Sequence, residues 1–525
     1  MNLHATRPFW LIRHQKWLFA IAAILGTVLM LVGAQLFRID RIRCTNWPSL
    51  SVGWPYAFVY ALALILLTLA WLGISNLCIG KAWRATSKIP IIALTPSRRF
   101  ILLLGVGCNA LATMVPPFLA DDGLAYAAIG RAMAKYHQNM FTPLGQSLPE
   151  SDIFRVAISQ NYGWLEVGSA YAPGFNWLAW LIGKISNDNL TLSLRLFQTA
   201  SMIAAICAGL IAGRAARLYE TQHAKENGLE PPFVGLMPAE DAAALRATSL
   251  LLLCPLTIVE ASNNAHNDSF LMLSVALFAL YVVQRKPILA FTMLASALLV
   301  KASALLLLGF YGIHQLSALL NYRLPKIRYH YLLFALFIAV LTTGLFAWQL
   351  LPWLMHYSST TARLFGSPTD QYPYCTRSYE CLPRGLLHMV LGMRTASWLV
   401  GLAFRSTAAA FLVYTALRSE RGIRHLSWAA SFIFLYYLFL HGYSHPWYIL
   451  SLLPLLPYAN KRLLPAMLTL PIANLSHYLL DFPYNCDHSV LMVGLTETIQ
   501  GLMVLLPSTI LLFRRQKSSH APIMQ

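Results

Sequence analysis

The chain predicts an all-α, polytopic membrane protein of about 14 transmembrane helices, and three observations carry that prediction. Apolar residues make up 57% of its 525 residues and charged types only 11%, whereas soluble domains are roughly a quarter charged. Charge-free windows near twenty residues recur from end to end, each enough to cross a hydrocarbon core about 30 Å thick. Basic residues gather in short connectors between those windows. The net charge of +19 therefore reads as a positive-inside distribution and not as a nucleic-acid face. Gly-rich phosphate loops, paired Cys/His zinc patterns and basic-aromatic RNA motifs are missing from the sequence, which argues against a cytosolic ATPase or a nucleic-acid partner.

Taken in order, spans are expected at about 17–36, 56–79, 100–119, 197–215, 246–260, 269–284, 288–300, 303–319, 331–354, 395–417, 428–441, 448–459, 463–482 and 491–513. The first run, Trp17 to Ala34, follows Arg7, Arg13 and Lys16, and "VGA" before Gln35 would suit a signal peptidase. The run is longer than a signal core, so it is read as a retained helix. With this set of spans the basic clusters fall on one side and both termini are cytoplasmic, and only the loop with Arg38, Arg41 and Arg43 breaks the rule. The stretch "ILAFTMLASALLVKASALLLLGFYGI" is read as two short helices turning at Lys301, which keeps Arg285/Lys286 and Arg323/Lys326/Arg328 on the same side. Short, broken helices are tolerated where they line a water-filled cavity.

The whole chain, 1–525, is expected to form one membrane-embedded domain with two long external loops, 120–195 and 355–390. Long structured loops are usually functional. In the first, "YGWLEVGSAYAPGFNWLAWLIGKI" reads as a helix lying in the interface, with Trp164, Trp177 and Trp180 as headgroup anchors. Cys78, Cys108, Cys207 and Cys254 fall in or at helices as small packing residues, while Cys44, Cys375, Cys381 and Cys486 are external. A Cys375–Cys381 bridge across "CTRSYEC" is expected if that compartment is oxidising.

The unusual polar residues come out at one membrane face on this topology. Asp121 and Asp122 open the first external loop, and "SNNAHNDSF" brings His266, Asn267 and Asp268 to the next external turn. Lys301 follows at another turn, and "HGYSHPWY" (His441 to Tyr448) at a fourth. Each has a bland reading: an interface histidine, an N-cap at Asp268, a snorkelling lysine, an aromatic belt at Trp447 and Tyr448, solvated loop charges at the Asp pair. Convergence favours a site instead, because a secondary transporter would hold such groups near the midplane. Carboxylates, imidazoles and a lysine at a lipid surface suit transfer of a group from a lipid-linked phosphate. One Asp would accept the proton of an attacking hydroxyl, while Lys301, Arg131 and histidines would stabilise charge on the departing phosphate.

At these residues the sequence resembles the C-type superfamily of integral-membrane glycosyltransferases, and within it the bacterial polyprenol-phosphate-mannose-dependent mannosyltransferases. Their acidic pair and "Y…DGR…G.NPY"-like stretch are matched in "DDGLAYAAIGRAMAKYHQNMF" at Asp121, Asp122, Tyr126, Gly130 and Arg131. Ile129 replaces the Asp before Gly-Arg and "NMF" replaces Asn-Pro-Tyr, which points to a different substrate. "YAPGF" (Tyr171 to Phe175) is similar to a "YPP" element, and "NNAHNDSFLM…VQRKPILAFTMLASALLVK" to "GHNDALM…RGRP…LVK". "HPWYILSLLP" is similar to a terminal "PWY…LP" element, so the likeness runs in order from about 120 to 460.

The resemblance implies an inverting displacement from a polyprenyl-phosphate sugar, with mannose the expected sugar, to a lipid or glycan acceptor. It places the reaction on the outer, periplasmic face of a bacterial inner membrane, in cell-envelope glycan biosynthesis among membrane lipids. The catalytic base is expected at Asp121 or Asp122, with a lean to Asp121. The donor set is Arg131, Tyr171, His266, Asn267, Asp268, Lys301, Tyr443 and His445. No cofactor is expected; metal dependence varies across the superfamily, and a divalent ion stays an alternative. A transporter or flippase of a lipid-linked sugar is the competing reading, resting on Glu497 inside the last apolar run as an intramembrane proton relay.

Overall fold

Apolar runs become helices here because a backbone away from water must satisfy its own N–H and C=O groups. The computed structural model describes residues 9–46, 54–78, 96–120, 122–159, 165–226, 228, 233–234, 237–321, 390–420, 422–441, 445–479 and 490–514, together with 379, 383 and 386–387. The expected span 331–354 and nearly all of the loop 355–390 lie outside them, as do Cys375, Cys381 and Cys486.

The regular structure of the described residues is helical apart from one pair of two-residue strands, Phe233–Val234 with Met237–Pro238. Among them, five helices are long and apolar enough to cross a membrane: His14–Leu36, Pro55–Leu77, Leu190–Glu226, Trp398–Arg418 and Gly422–Leu440. Counting one bent pair as a span makes six, and several further apolar helices are shorter. The all-α membrane class is thus the one expected, while five or six spans among the described residues do not reach the expected count of about 14. Large apolar side chains such as Phe58, Leu103 and Phe513 face outward at 72–77% exposure, as lipid-facing positions do.

Four breaks in the spans shape the site. The expected helix 246–260 is a helix Ala239–Leu252 and a π-helical segment Thr257–Asn263, bent by 59°. Pro255 sits in the break, where it has no N–H to continue the ladder. Next, Pro287–Ala297 and Ala304–Asn321 are separate helices with Lys301 in the turn between them, as expected. The segment Pro446–Tyr458 is a 3-10 helix containing Pro454 and Pro457. At about 2 Å rise per residue its 13 residues reach about 26 Å, most of a hydrocarbon core, where an α-helix would reach about 20 Å. Finally, Arg98–Ala112 stops at 15 residues, and an irregular stretch leads from it to the Asp pair.

The long segment after Arg98–Ala112 folds into helices Asp122–Lys135, Leu144–Ser147, Ile153–Ile158 and Pro173–Ser186, with a buried core of their own that includes Tyr126, Phe154, Phe175 and Ile182. Along Pro173–Ser186, Trp177, Leu181 and Ile185 are 48–59% exposed. That four-residue spacing makes one apolar outward stripe, the pattern of a helix lying in a membrane interface. Trp180 packs edge-on against Trp177, whereas Trp164 lies outside the described residues.

Candidate active site

Helix Asp122–Lys135, which begins at an acidic residue as helix dipoles favour, is locked against Pro173–Ser186 by glycines. A Cβ on Gly130 would collide with the Ala179 carbonyl, and one on Gly183 with the Gly130 carbonyl. Such contact lets two backbones touch. The turn before the second helix is held by Asn176, which donates to the Tyr171 carbonyl at 2.8 Å and accepts from Ser169 Oγ at 2.6 Å. Its Phe175 N–H donates to the Leu299 carbonyl at 3.1 Å, and a Cβ on Gly174 would stand 2.7 Å from that oxygen. Tyr171 is thereby tied to the turn that carries Lys301.

A second set of bonds ties the approach to Asp122 onto the π-helical segment. Gln198 Nε2 donates to the carbonyls of Val115 and Asn263 at 2.8 and 2.7 Å. Asn263 Nδ2 donates to the Ala112 carbonyl at 2.9 Å. Asn264 works in both directions: its Oδ1 accepts from Leu119 N at 3.4 Å while its Nδ2 donates to Glu260 Oε2 at 3.0 Å. Ala265 follows with φ of +61°, a left-handed conformation that costs a non-glycine residue roughly 1–2 kcal/mol. His266 N then donates back to the Glu260 carbonyl at 2.9 Å.

These connections gather side chains from five parts of the chain. Tyr171 Oη donates to Asp122 Oδ1 at 2.6 Å. Asp122 Oδ2 lies 3.7 Å from His266 Nδ1, and Glu260 Oε2 lies 3.2 Å from His266 Nε2. Lys301 Nζ meets Asp268 Oδ2 at 2.5 Å and stands 4.2 Å over the Tyr448 ring. Trp447 carries two imidazoles in stacking contact, His266 at 4.0 Å and His445 at 4.2 Å. Glu260, His266 and Asp268 are 0% exposed, while Asp122 and Lys301 keep 17% and 19% side-chain exposure. The site thus has a buried floor and a wetter rim.

Tyr171 and Tyr126 rest edge-to-face at 4.8 Å. Burial, then the Asp122 carboxylate, push both phenols well above their ordinary range. They remain donors, and Tyr171 gives its O–H to Asp122.

Of the residues expected from sequence, Asp122, Tyr171, His266, Asn267, Asp268, Lys301 and His445 come together. Asp268 is the first residue of its helix, Asp268–Val283, and its carboxylate serves Lys301 rather than capping. Asp121 and Tyr443 lie outside the described residues, and so does the side chain of Glu497. Arg131 is placed elsewhere: its Nε donates to Asp152 Oδ2 at 3.1 Å, its Nη1 to the Asn187 carbonyl at 3.0 Å, and its Nη2 pairs with Asp188. Glu260 and Asn264 were not anticipated. The available signal for Glu260 was a lone carboxylate inside the apolar run "LLLLCPLTIVEAS", the kind of residue that is functional by default in a membrane. Among the described residues no group of three or more His, Cys, Asp or Glu is arranged to hold a metal ion.

Residues 233–317 match the family model described as Alpha-(1->6)-mannopyranosyltransferase, N-terminal domain. No curated protein and no solved structure matches the chain. The matched segment holds Glu260, His266, Asp268 and Lys301, but not Asp122, Tyr171 or His445. It bears out the resemblance to membrane mannosyltransferases of the C-type superfamily. The match covers 85 of the 525 residues and supports a glycosyltransferase reading of this membrane protein.

Proposed function

We propose that the chain moves mannose from a polyprenyl-phosphate donor to a hydroxyl of a lipid or glycan acceptor, at the outer face of the membrane, by one inverting displacement. Asp122 is the general base. The observation that carries this reading is the set Asp122–His266–Glu260 beside Asp268–Lys301, drawn from distant segments into one part-buried cluster.

In the displacement the acceptor oxygen attacks the anomeric carbon, the bond from that carbon to the phosphate oxygen breaks, and polyprenyl phosphate leaves with the electron pair. The hydroxyl proton passes to Asp122 Oδ2, since Oδ1 is engaged by Tyr171. Lys301, at the rim, takes the growing phosphate charge, with Asp268 holding it in place. Glycosyl transfer passes through an oxocarbenium-like transition state, and the carboxylate of the base, Asp122, favours the positive charge that develops on the sugar ring.

The test is single-turnover transfer from polyprenyl-phosphate mannose by protein in nanodiscs, with lipid extract as acceptor. Asp122→Asn is expected to lower the rate by about 10²–10⁴-fold, the range for a positioned base, with Asp121→Asn measured in parallel. Full transfer by Asp122→Asn would move the base elsewhere. Failure of the wild-type protein to use this donor, against another lipid-linked sugar, would remove the donor assignment.

A further inference from the structure

We infer that Glu260 is a positioning residue which fixes the tautomer of His266, so that His266 Nδ1 receives the proton collected by Asp122. The inference rests on the displacement proposed above.

Glu260 is fully buried in the π-helical segment, where an uncompensated carboxylate costs several kcal/mol. Its Oε2 takes the Asn264 amide at 3.0 Å and faces His266 Nε2 at 3.2 Å. Its Oε1 makes no hydrogen bond among the described residues. The groups around the imidazole come from every element packed on it: Asp122 and Tyr126 from one helix, Tyr171 ahead of the next, Asp268 on its own helix, Lys301 in the following turn, and His445 with Trp447 from the 3-10 helix. Lys301 compensates Asp268 at 2.5 Å. Glu260 and Asp122 are therefore the carboxylates left to His266, Glu260 the nearer of the two.

A neutral imidazole has one N–H, and which nitrogen carries it is set by the partner of the other. An ionised carboxylate only accepts, so the nitrogen nearer a carboxylate is the one that carries hydrogen. Nε2 is 3.2 Å from Glu260, while Nδ1 is 3.7 Å from an Asp122 whose other oxygen accepts a hydrogen bond from Tyr171 Oη. As the nearer contact tightens, that difference favours the hydrogen on Nε2 and leaves the Nδ1 lone pair toward Asp122. Neither ring nitrogen is aligned as a hydrogen bond in this structure, and such bonds commonly tighten only when substrate is bound.

The proton balance follows. As the new glycosidic bond forms and polyprenyl phosphate leaves, the acceptor proton sits on Asp122 Oδ2. It then moves to His266 Nδ1 and Asp122 returns to carboxylate. The imidazolium lies between Asp122 and Glu260 and on the Trp447 face. It loses the proton to water once product has left. The logic is that of a nucleophile's base oriented by a buried acid, transposed to a base that is itself a carboxylate.

The test is the nitrogen spectrum of ¹⁵N-histidine-labelled protein in nanodiscs, with His266 assigned by difference against His266→Asn. Wild type is expected to show the Nε2–H tautomer. Glu260→Gln should mix or invert it and lower single-turnover transfer about 10²-fold, and Glu260→Asp should restore both tautomer and most of the rate. An Nδ1–H tautomer in wild type overturns the inference. So does a Glu260→Gln protein that loses transfer with its tautomer unchanged, since that is a structural role only. Should Glu260→Gln fail to fold, Asn264→Ala takes its place and is expected to mix the tautomers. The spectrum needs neither donor nor acceptor, so a wild-type protein that transfers no mannose defeats the proposed function and leaves this inference to the tautomer alone.

Discussion

The two ends of one helix, Asp122–Lys135, carry buried charge in opposite conditions. At the far end, about 13 Å from Asp122 along the helix axis, Arg131 is met by Asp152, Asp188 and the Asn187 carbonyl. Asp152 is also satisfied by Tyr136 Oη at 2.7 Å and Phe154 N at 2.9 Å. At the near end, Glu260 Oε1, Asp268 Oδ1, Asn267 Nδ2 and both nitrogens of His266 make no hydrogen bond among the described residues. A saturated network stiffens its surroundings, and a half-satisfied one is costly. A fold keeps the second kind where substrate contacts need those groups. The far end is a strut and the near end is where chemistry is expected.

The sharpest way to break this contrast is to compare the two ends by rate and by stability. Asp122→Asn should cut transfer by about 10³-fold with the melting temperature in detergent little changed; a matching loss of stability would make it a strut as well. Asp152→Asn should do the reverse, costing about 3 kcal/mol because it leaves Arg131 short of a buried partner. Residual transfer should then track the folded fraction, read by size exclusion after heating. Next in size, Gly183→Ala pushes a methyl into the Gly130 carbonyl and should cost about 1–3 kcal/mol as overpacking, slowing transfer by shifting both ends together. Tyr171→Phe removes one hydrogen bond to Asp122 and should cost about 1.5 kcal/mol, the low end for a bond to a charged group, seen as a fall of about tenfold in rate with no loss of fold.

The smallest effect separates the ends by pH. Burial pushes the Asp152 carboxyl up, but the hydrogen bonds from Tyr136, the Phe154 N–H and Arg131 outweigh it and hold it below the usual carboxylate range. A carboxyl lowered by folding stabilises the fold above its unfolded value and loses that stability as pH falls through its folded one. The loop should therefore begin to lose stability only below about pH 4, and Asp152→Asn should abolish that acid step. An unchanged step in the variant would assign it to other carboxyls.

The class of fold was legible because apolar run length is a direct physical requirement of the bilayer. Lys301 was correctly placed at a turn between two short helices, since charge distribution speaks to topology. The break after Cys254 and the 3-10 geometry of Pro446–Tyr458 were not legible, although Pro255, Pro454 and Pro457 mark both places. Proline says where a ladder fails and not which geometry replaces it. His266, Asp268 and Lys301 stood out as polar residues without a local reason. Arg131 was read as a phosphate contact because its true partners, Asp152 and Asp188, lie 21 and 57 residues away. Glu260 was passed over for the opposite reason, since its neighbours in sequence gave it no company until His266 was folded back onto it.

Ala265 shows what such an arrangement demands of the backbone. A buried alanine held at φ +61° is a spring kept wound: glycine there would relax it and stabilise the chain, yet would free the imidazole that follows to turn away from its two acids. The protein forgoes that easy gain in stability, and aim is what it keeps in exchange.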